Sequence, residues 1–158
     1  KDIKSNVYPK QIAFNVIPQI DKFMDNGYTK EEMKMVWETK KILDNSIEVN
    51  PTTVRVPVFY GHSEAVHLEL AQKITANKVK DIFMDNSNDV VLIDEHKDGG
   101  YPCAANECED SNDVFVGRVR EDISIPNGIN LWVVSNNIRK GAAYNSIQIA
   151  ELLIKDYL

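Results

Sequence analysis

Cysteine is nearly missing from this chain: Cys103 and Cys108 are the only two. Two are too few for a disulfide framework, so a reducing, cytoplasmic setting is expected. Their C-x4-C spacing has no second pair and only a distant His96 beside it, so no metal site is expected either. Long apolar runs are also lacking. Nothing approaches the run of about 18 residues that reads as a membrane-crossing helix, and the opening KDIKSNVYPK has no apolar secretion-signal core. No membrane partner is therefore expected. Positive charge is in deficit, with a formal net charge of −6 and a pI near 5.1. That balance argues against nonspecific nucleic-acid binding. No G-x-G-x-x-G or phosphate loop occurs, so the chain carries no nucleotide-binding fingerprint of its own.

What is present describes an ordinary globular protein, 43% hydrophobic and 27% charged. Its 158 residues suffice for one domain, burying roughly 70% of the unfolded surface. Residues 1–10 are polar and read as a residual linker, and residues 11–158 as the domain proper. Gln11 to Ile17 is a short extended run ending at Pro18, and Asp21 to Gly27 is turn-like. Thr29-x-x-Glu32 is a capping box opening a helix whose apolar side is Met33, Val36, Trp37, Ile42 and Leu43. A second helix is expected from about Thr75, turning Val79, Ile82 and Phe83 inward. Strands are expected at Asp89–Ile93, Asp113–Arg120 and Asn130–Val134, with Glu95 to Asn112 an acidic irregular loop. In the Asp113–Arg120 strand, Val114, Val116 and Arg118 should alternate with Phe115, Gly117 and Val119. Pro126-Asn127-Gly128 marks a turn, and Ile138 to Tyr157 reads as one long final helix. Interleaved strands and helices predict an α+β fold with a mixed, largely antiparallel sheet flanked by helices.

One stretch organises the rest. Thr53 to Leu70 reads as two strand-like halves joined at Tyr60-Gly61, each with apolar residues every second position. Arg55 and His62 lie seven apart, which on a straight strand puts them on opposite faces. If they act together the backbone must bend between them, and Gly61, lacking a Cβ, is best suited to permit it. Pro57 fits only an edge strand or a bulge.

The blocks FNVIPQID (14–21), EEMKMVWETKKIL (31–43), RVPVFYGHSEAV (55–66), VFVGRVRED (114–122) and LWVVSNNIRKGAAYNSIQIAELL (131–153) occur in this order. Together they closely resemble the C-terminal domain of the aspartate-semialdehyde dehydrogenase family, from about Pro9 to the end. The resemblance implies the C-terminal fold of glyceraldehyde-3-phosphate-dehydrogenase-type enzymes. It also implies a homodimer and reductive dephosphorylation of aspartyl-4-phosphate to aspartate semialdehyde with NADPH, feeding lysine, threonine, methionine and diaminopimelate synthesis. In the family an N-terminal domain holds the NADP and the nucleophilic cysteine. This sequence looks like the second domain alone, so by itself it is expected neither to bind the cofactor nor to catalyse the reaction.

The resemblance also assigns residues. His62 matches the acid/base histidine of the family's R-x6-H arrangement, and an imidazole suits that role because it titrates near working pH. Arg55 matches the arginine that grips the substrate α-carboxylate, which a planar guanidinium can do with two parallel hydrogen bonds. An ordinary surface ion pair there would be worth only ~0–1 kcal/mol. Glu38 and Lys41, three apart on one helix face, match positions that bind the substrate amino group and the phosphate. The bland alternative is a helix-stabilising pair worth ~0.2–0.5 kcal/mol. Asn137 matches a polar residue near the nicotinamide carboxamide, whereas Asn136 stands where relatives usually carry Asp. Helix capping is the plainer role for either asparagine. The resemblance places Cys103 and Cys108 in a variable loop, so neither is the nucleophile. His67 and His96 read as solvated, and Trp37 and Trp132 as core or interface residues. Two other readings stay open: a dimerising module without chemistry, and the related N-acetyl-glutamyl-phosphate reductase. Retention of Arg55, His62, Glu38 and Lys41 together argues against the first, and the blocks favour the aspartyl enzyme over the second.

Overall fold

The computed structural model describes residues 6–86 and 89–158. The chain divides into two compact units, Lys1–Pro57 and Val58–Leu158. Of the expected linker, residues 1–5 lie outside the described part, and residues 6–10 are a series of bends.

The first unit is built around helix α1, Lys30–Ile42. Its start is fixed as the sequence predicts. Thr29 is extended (φ −83°, ψ 160°), its hydroxyl accepts from the Glu32 N–H at 3.3 Å, and the Glu32 carboxylate accepts from the Thr29 N–H at 2.7 Å. Glu31 and Glu32 sit in the first turn and Lys40 and Lys41 in the last, each sign facing the helix end that favours it. The apolar side is not a core: Trp37 is 48% exposed, Ile42 and Leu43 each 72%, and the one buried residue of α1 is Glu32. Trp37 is therefore not a core residue. Ahead of the helix, Phe23 pairs with Thr29 across a turn in which Gly27 takes φ +85°. In the first half of the organising stretch the strand expectation fails. Only Arg55 pairs there, in an isolated antiparallel bridge with Ile17 (N–H···O 3.0 and 2.9 Å). Alternation makes a segment able to pair, and a strand needs a neighbour running alongside; this half has one residue of neighbour.

The second unit is a four-stranded sheet of β1 (His62–Glu69), β2 (Val90–Leu92), β3 (Val114–Glu121) and β4 (Gly128–Ser135), in the order β1-β4-β3-β2. β1–β4 and β4–β3 are antiparallel and β3–β2 parallel, the mixed, largely antiparallel sheet expected. Helix α2 (Ala76–Asn86) covers one face, setting Ala76, Val79 and Phe83 against Val116, Val119, Ile129 and Leu131. Ile82 is 42% exposed, so it does not turn inward as expected. On the other face the single turn α3 (Ala104–Glu107), a helix inside the supposedly irregular loop, packs Ala104 and Cys108 on Phe115 and Val134. Trp132 packs against that cluster and donates its indole N–H to the Pro102 carbonyl at 3.0 Å, so its core reading holds.

A bulge corrects the strand faces. The β3–β4 register shifts between Gly117 and Arg120, and Arg118 takes φ +53°. Val119 thereby joins Val116 on the α2 side instead of Phe115 on the α3 side. An extra residue in one strand reverses the alternation beyond it. The bulge is anchored by Asp94, whose Oδ1 accepts from the Val119 N–H at 3.3 Å and whose Oδ2 meets Lys80 Nζ at 2.6 Å. The final helix also starts later than predicted: a π-helical turn, Arg139–Ala143, precedes α4 (Tyr144–Tyr157). None of α4's residues is buried. No helix among the described residues is long and apolar enough to cross a membrane.

Candidate active-site residues and their supports

His62 is the first residue of β1, exposed, and paired across the sheet with Ser135 at the end of β4. The residue before it takes a backbone conformation that glycine is best suited to permit. Gly61 takes φ +80°, and a Cβ there would lie 3.0 Å from the Ser135 carbonyl oxygen and 3.2 Å from the Cβ atoms of Ala104 and Cys108. Conformation and space both call for glycine. The Gly61 N–H donates to Asn137 Oδ1 at 3.3 Å. The turn that aims His62 is thus enclosed by the end of β4, by α3 and by the asparagine pair.

Asn136 and Asn137 divide the work. Asn136 is 5% exposed. Its Oδ1 accepts from the Ile138 and Arg139 N–H groups at 2.9 and 3.0 Å, capping the π-helical turn as an N-cap residue does. Its Nδ2 donates to the Cys108 and Glu109 carbonyls at 2.8 and 3.1 Å, tying the end of α3 to β4. Arg139 reinforces that link through Asp110 (3.1 Å) and Asn112 (3.4 Å). Lys140, in the same π-helical turn, reaches Asp89 Oδ2 at 3.0 Å and Gln148 at 2.7 Å. Hydrogen bonds from Gln148 and Lys140 lower the Asp89 pKa, so the start of the final helix is moored to the approach to β2. Asn137 caps nothing; its Oδ1 accepts from Gly61, and its Nδ2 donates to none of the described residues.

In the first unit, Arg55 is half-buried and stacks its guanidinium over Tyr8, 5.4 Å from the ring centre. It lines an open cleft of about 420 Å³ with Val7, Tyr8, Pro9, Gln19 and Asp21. Glu38 and Lys41 are both exposed on α1. One carboxylate connects these pieces. Besides capping α1, Glu32 accepts from the Thr53 N–H at 2.9 Å, two residues before Arg55. The Thr29 and Thr53 backbone donors hold its pKa below the ordinary glutamate value. The capping box was visible in the sequence, but the bond to Thr53 spans 21 residues and no local pattern announces it.

Three other residues depart from the expectations or fall outside them. His67 is not merely solvated: its Nε2 pairs with Asp122 Oδ2 at 2.8 Å. Arg118 and Arg120 line a second cleft of about 380 Å³ on the sheet, with Tyr101, Cys103 and Trp132. Burial, aided by Glu107, pushes the Cys108 thiol pKa up, which makes it a poor nucleophile. Among the described residues no group of three or more His, Cys, Asp or Glu could hold a metal ion.

The family model for the semialdehyde dehydrogenase dimerisation domain matches residues 1–140. The aspartate-semialdehyde dehydrogenase of Shewanella violacea is 63% identical over 155 residues, 98% of this chain and 45% of that protein. The crystal structure of aspartate semialdehyde dehydrogenase II from Vibrio cholerae superposes with a TM-score of 0.93 at 56% identity, covering 99% of this chain and 46% of that one. The same enzyme complexed with ASA gives 0.91 at 56% identity, covering 98% and 45%. The Candida albicans enzyme with NADP gives 0.73 at 26% identity, covering 90% and 45%. The chain spans less than half the length of each of these relatives.

Proposed function

The chain belongs to the semialdehyde dehydrogenase family, matching its dimerisation domain, and from that premise we propose that it is the substrate-binding and dimerising part of an aspartate-semialdehyde dehydrogenase. The whole enzyme would reduce aspartyl-4-phosphate to aspartate semialdehyde with NADPH, releasing phosphate. The observation that carries this reading is the family match across residues 1–140, a span that includes Glu38, Lys41, Arg55 and His62.

In this reading His62 takes and returns the proton of a thiol supplied elsewhere in the enzyme. The backbone that carries His62 follows a positive-φ glycine on a closely packed turn, which sets where its Cα–Cβ bond points, and general acid/base work depends on such placement. Arg55 binds the substrate α-carboxylate with its fork of donors, its plane steadied by the Tyr8 ring. Glu38 receives the substrate ammonium, and Lys41 offsets the phosphate charge, so each charge on the substrate meets its opposite. NADPH supplies the hydride. Asn137 is the residue of this chain assigned to its carboxamide, and the geometry fits: Oδ1 is engaged by Gly61 while Nδ2 keeps its donors for a carbonyl oxygen.

The test is made in the whole enzyme. His62→Asn should cut turnover by roughly 10²–10⁴-fold, and Arg55→Lys should raise KM for the acyl phosphate because the paired grip is lost. Turnover within tenfold of wild type in His62→Asn would reject the assignment. The chain by itself should show no saturable NADP binding in calorimetry.

A further inference from the structure

Resting on that reading of Arg55, we infer that Glu32 is a positioning residue for the acyl phosphate: one buried carboxylate holds the start of α1 to the segment that bears Arg55. Capping a helix requires one of its oxygens, and here Oε2 takes the Thr29 N–H at 2.7 Å. The other oxygen, Oε1, is spent on a different part of the chain, the Thr53 N–H at 2.9 Å. The residue is 8% exposed, on a helix that buries no other side chain. From Thr53 the chain runs two residues to Arg55, whose own backbone N–H and carbonyl are both engaged by Ile17 at 2.9 and 3.0 Å. Ile17 is itself 3% exposed. The backbone beneath the guanidinium is therefore clamped twice, by a charge on α1 and by a buried bridge. Hydrogen bonds to an ionised acceptor are the stronger kind, and both amides here meet the same anion.

The chemistry separates this role from capping. Glutamine serves a capping box as well as glutamate does, but it has one acceptor oxygen for two amides. In Glu32→Gln the amide NH₂ must face either the Thr29 or the Thr53 N–H, donor against donor. If capping were the whole role, Glu32→Gln would be harmless to substrate use.

In the whole enzyme, Glu32→Gln should raise KM for the acyl phosphate about tenfold or more, as expected when a bond to a charged acceptor is lost, while KM for NADPH stays within about twofold. Thr29→Ala removes the capping hydroxyl but leaves both amide bonds to Glu32; it should lower the thermal midpoint and leave both KM values in place. Glu32→Asp, too short to reach both amides, should repeat the split and serves if Glu32→Gln folds poorly. Unchanged acyl-phosphate KM in Glu32→Gln and Glu32→Asp would overturn the inference. So would equal rises in both KM values that follow the loss of folded protein, since they would mark a purely structural role. Arg55→Lys distinguishes the two levels. If it leaves KM unchanged, the assignment of the carboxylate grip has failed; if it raises KM while the Glu32 variants do not, only the positioning role has failed.

Discussion

Asp122 accepts from Ser124 twice, backbone N–H at 2.5 Å and hydroxyl at 2.6 Å, from the Ile125 N–H at 3.2 Å, and pairs with His67 at 2.8 Å. The Ser124 bonds lead in pulling its pKa down from 3.8 to about 2. A carboxylate depressed by folding stabilises the protein above its unfolded pKa, and that contribution disappears as pH falls from about 4 toward 2. Ser124→Ala should move the Asp122 titration, followed by NMR, up toward the ordinary aspartate range. An unmoved titration would show that the hydroxyl does not set it. Gly61 offers a sharper test. Gly61→Ala must hold a Cβ at positive φ, a cost of about 1–2 kcal/mol, and must displace α3 or the Ser135 carbonyl as well. It should lower the denaturation midpoint and, in the whole enzyme, reduce turnover with little effect on the Arg55-dependent KM. An alanine variant with wild-type turnover would separate the turn from the orientation of His62.

At the scale of elements, the β3 bulge depends on a nearly closed ion pair. The Asp94 side chain is 2% exposed and that of Lys80 18%. Removing one partner of a buried pair strands the other, so Lys80→Met should destabilise by about 3 kcal/mol in urea unfolding. A loss below about 0.5 kcal/mol, the usual surface value, would show that water already serves Asp94. The same element shows what a sequence can and cannot announce. Thr29 and Glu32 specify the start of α1 locally, and the alternation of Val114 and Val116 with Phe115 and Gly117 locates a strand, because a period of two reports which face is apolar. The bulge was illegible because the carboxylate that anchors it, Asp94, is distant in the chain, and a one-residue insertion leaves composition untouched. The Thr53–Phe59 half had the right pattern and a strand partner only one residue long, Ile17. Among the candidate site residues, the unusual backbone at Gly61 was readable, since a glycine at the joint of the Thr53–Leu70 stretch is the residue best able to take it. The carboxylate shared by Thr29 and Thr53 was not, since nothing in a capping box reveals what its second oxygen touches.

For the whole molecule, helical periodicity in α4 identified an apolar face without revealing what covers it: Ile147, Ile149, Leu153 and Ile154 are each about half exposed or more. Under the proposed dimerising role, the chain should sediment as a dimer at micromolar concentration, and a clean monomer would count against that role. Asn136 joins two distant parts of the second unit through a single amide group, and its chemistry gives each half a separate job. Exchanging it for aspartate would keep the oxygen that starts the final helix. It would also turn an oxygen toward the two carbonyls at 108 and 109, where like partial charges repel. Asn136→Asp should therefore loosen residues 104–112 alone, seen as faster amide exchange there with the helix unchanged. Through that amide, a segment with no proposed part in the chemistry helps determine how firmly the wall beside His62 stands.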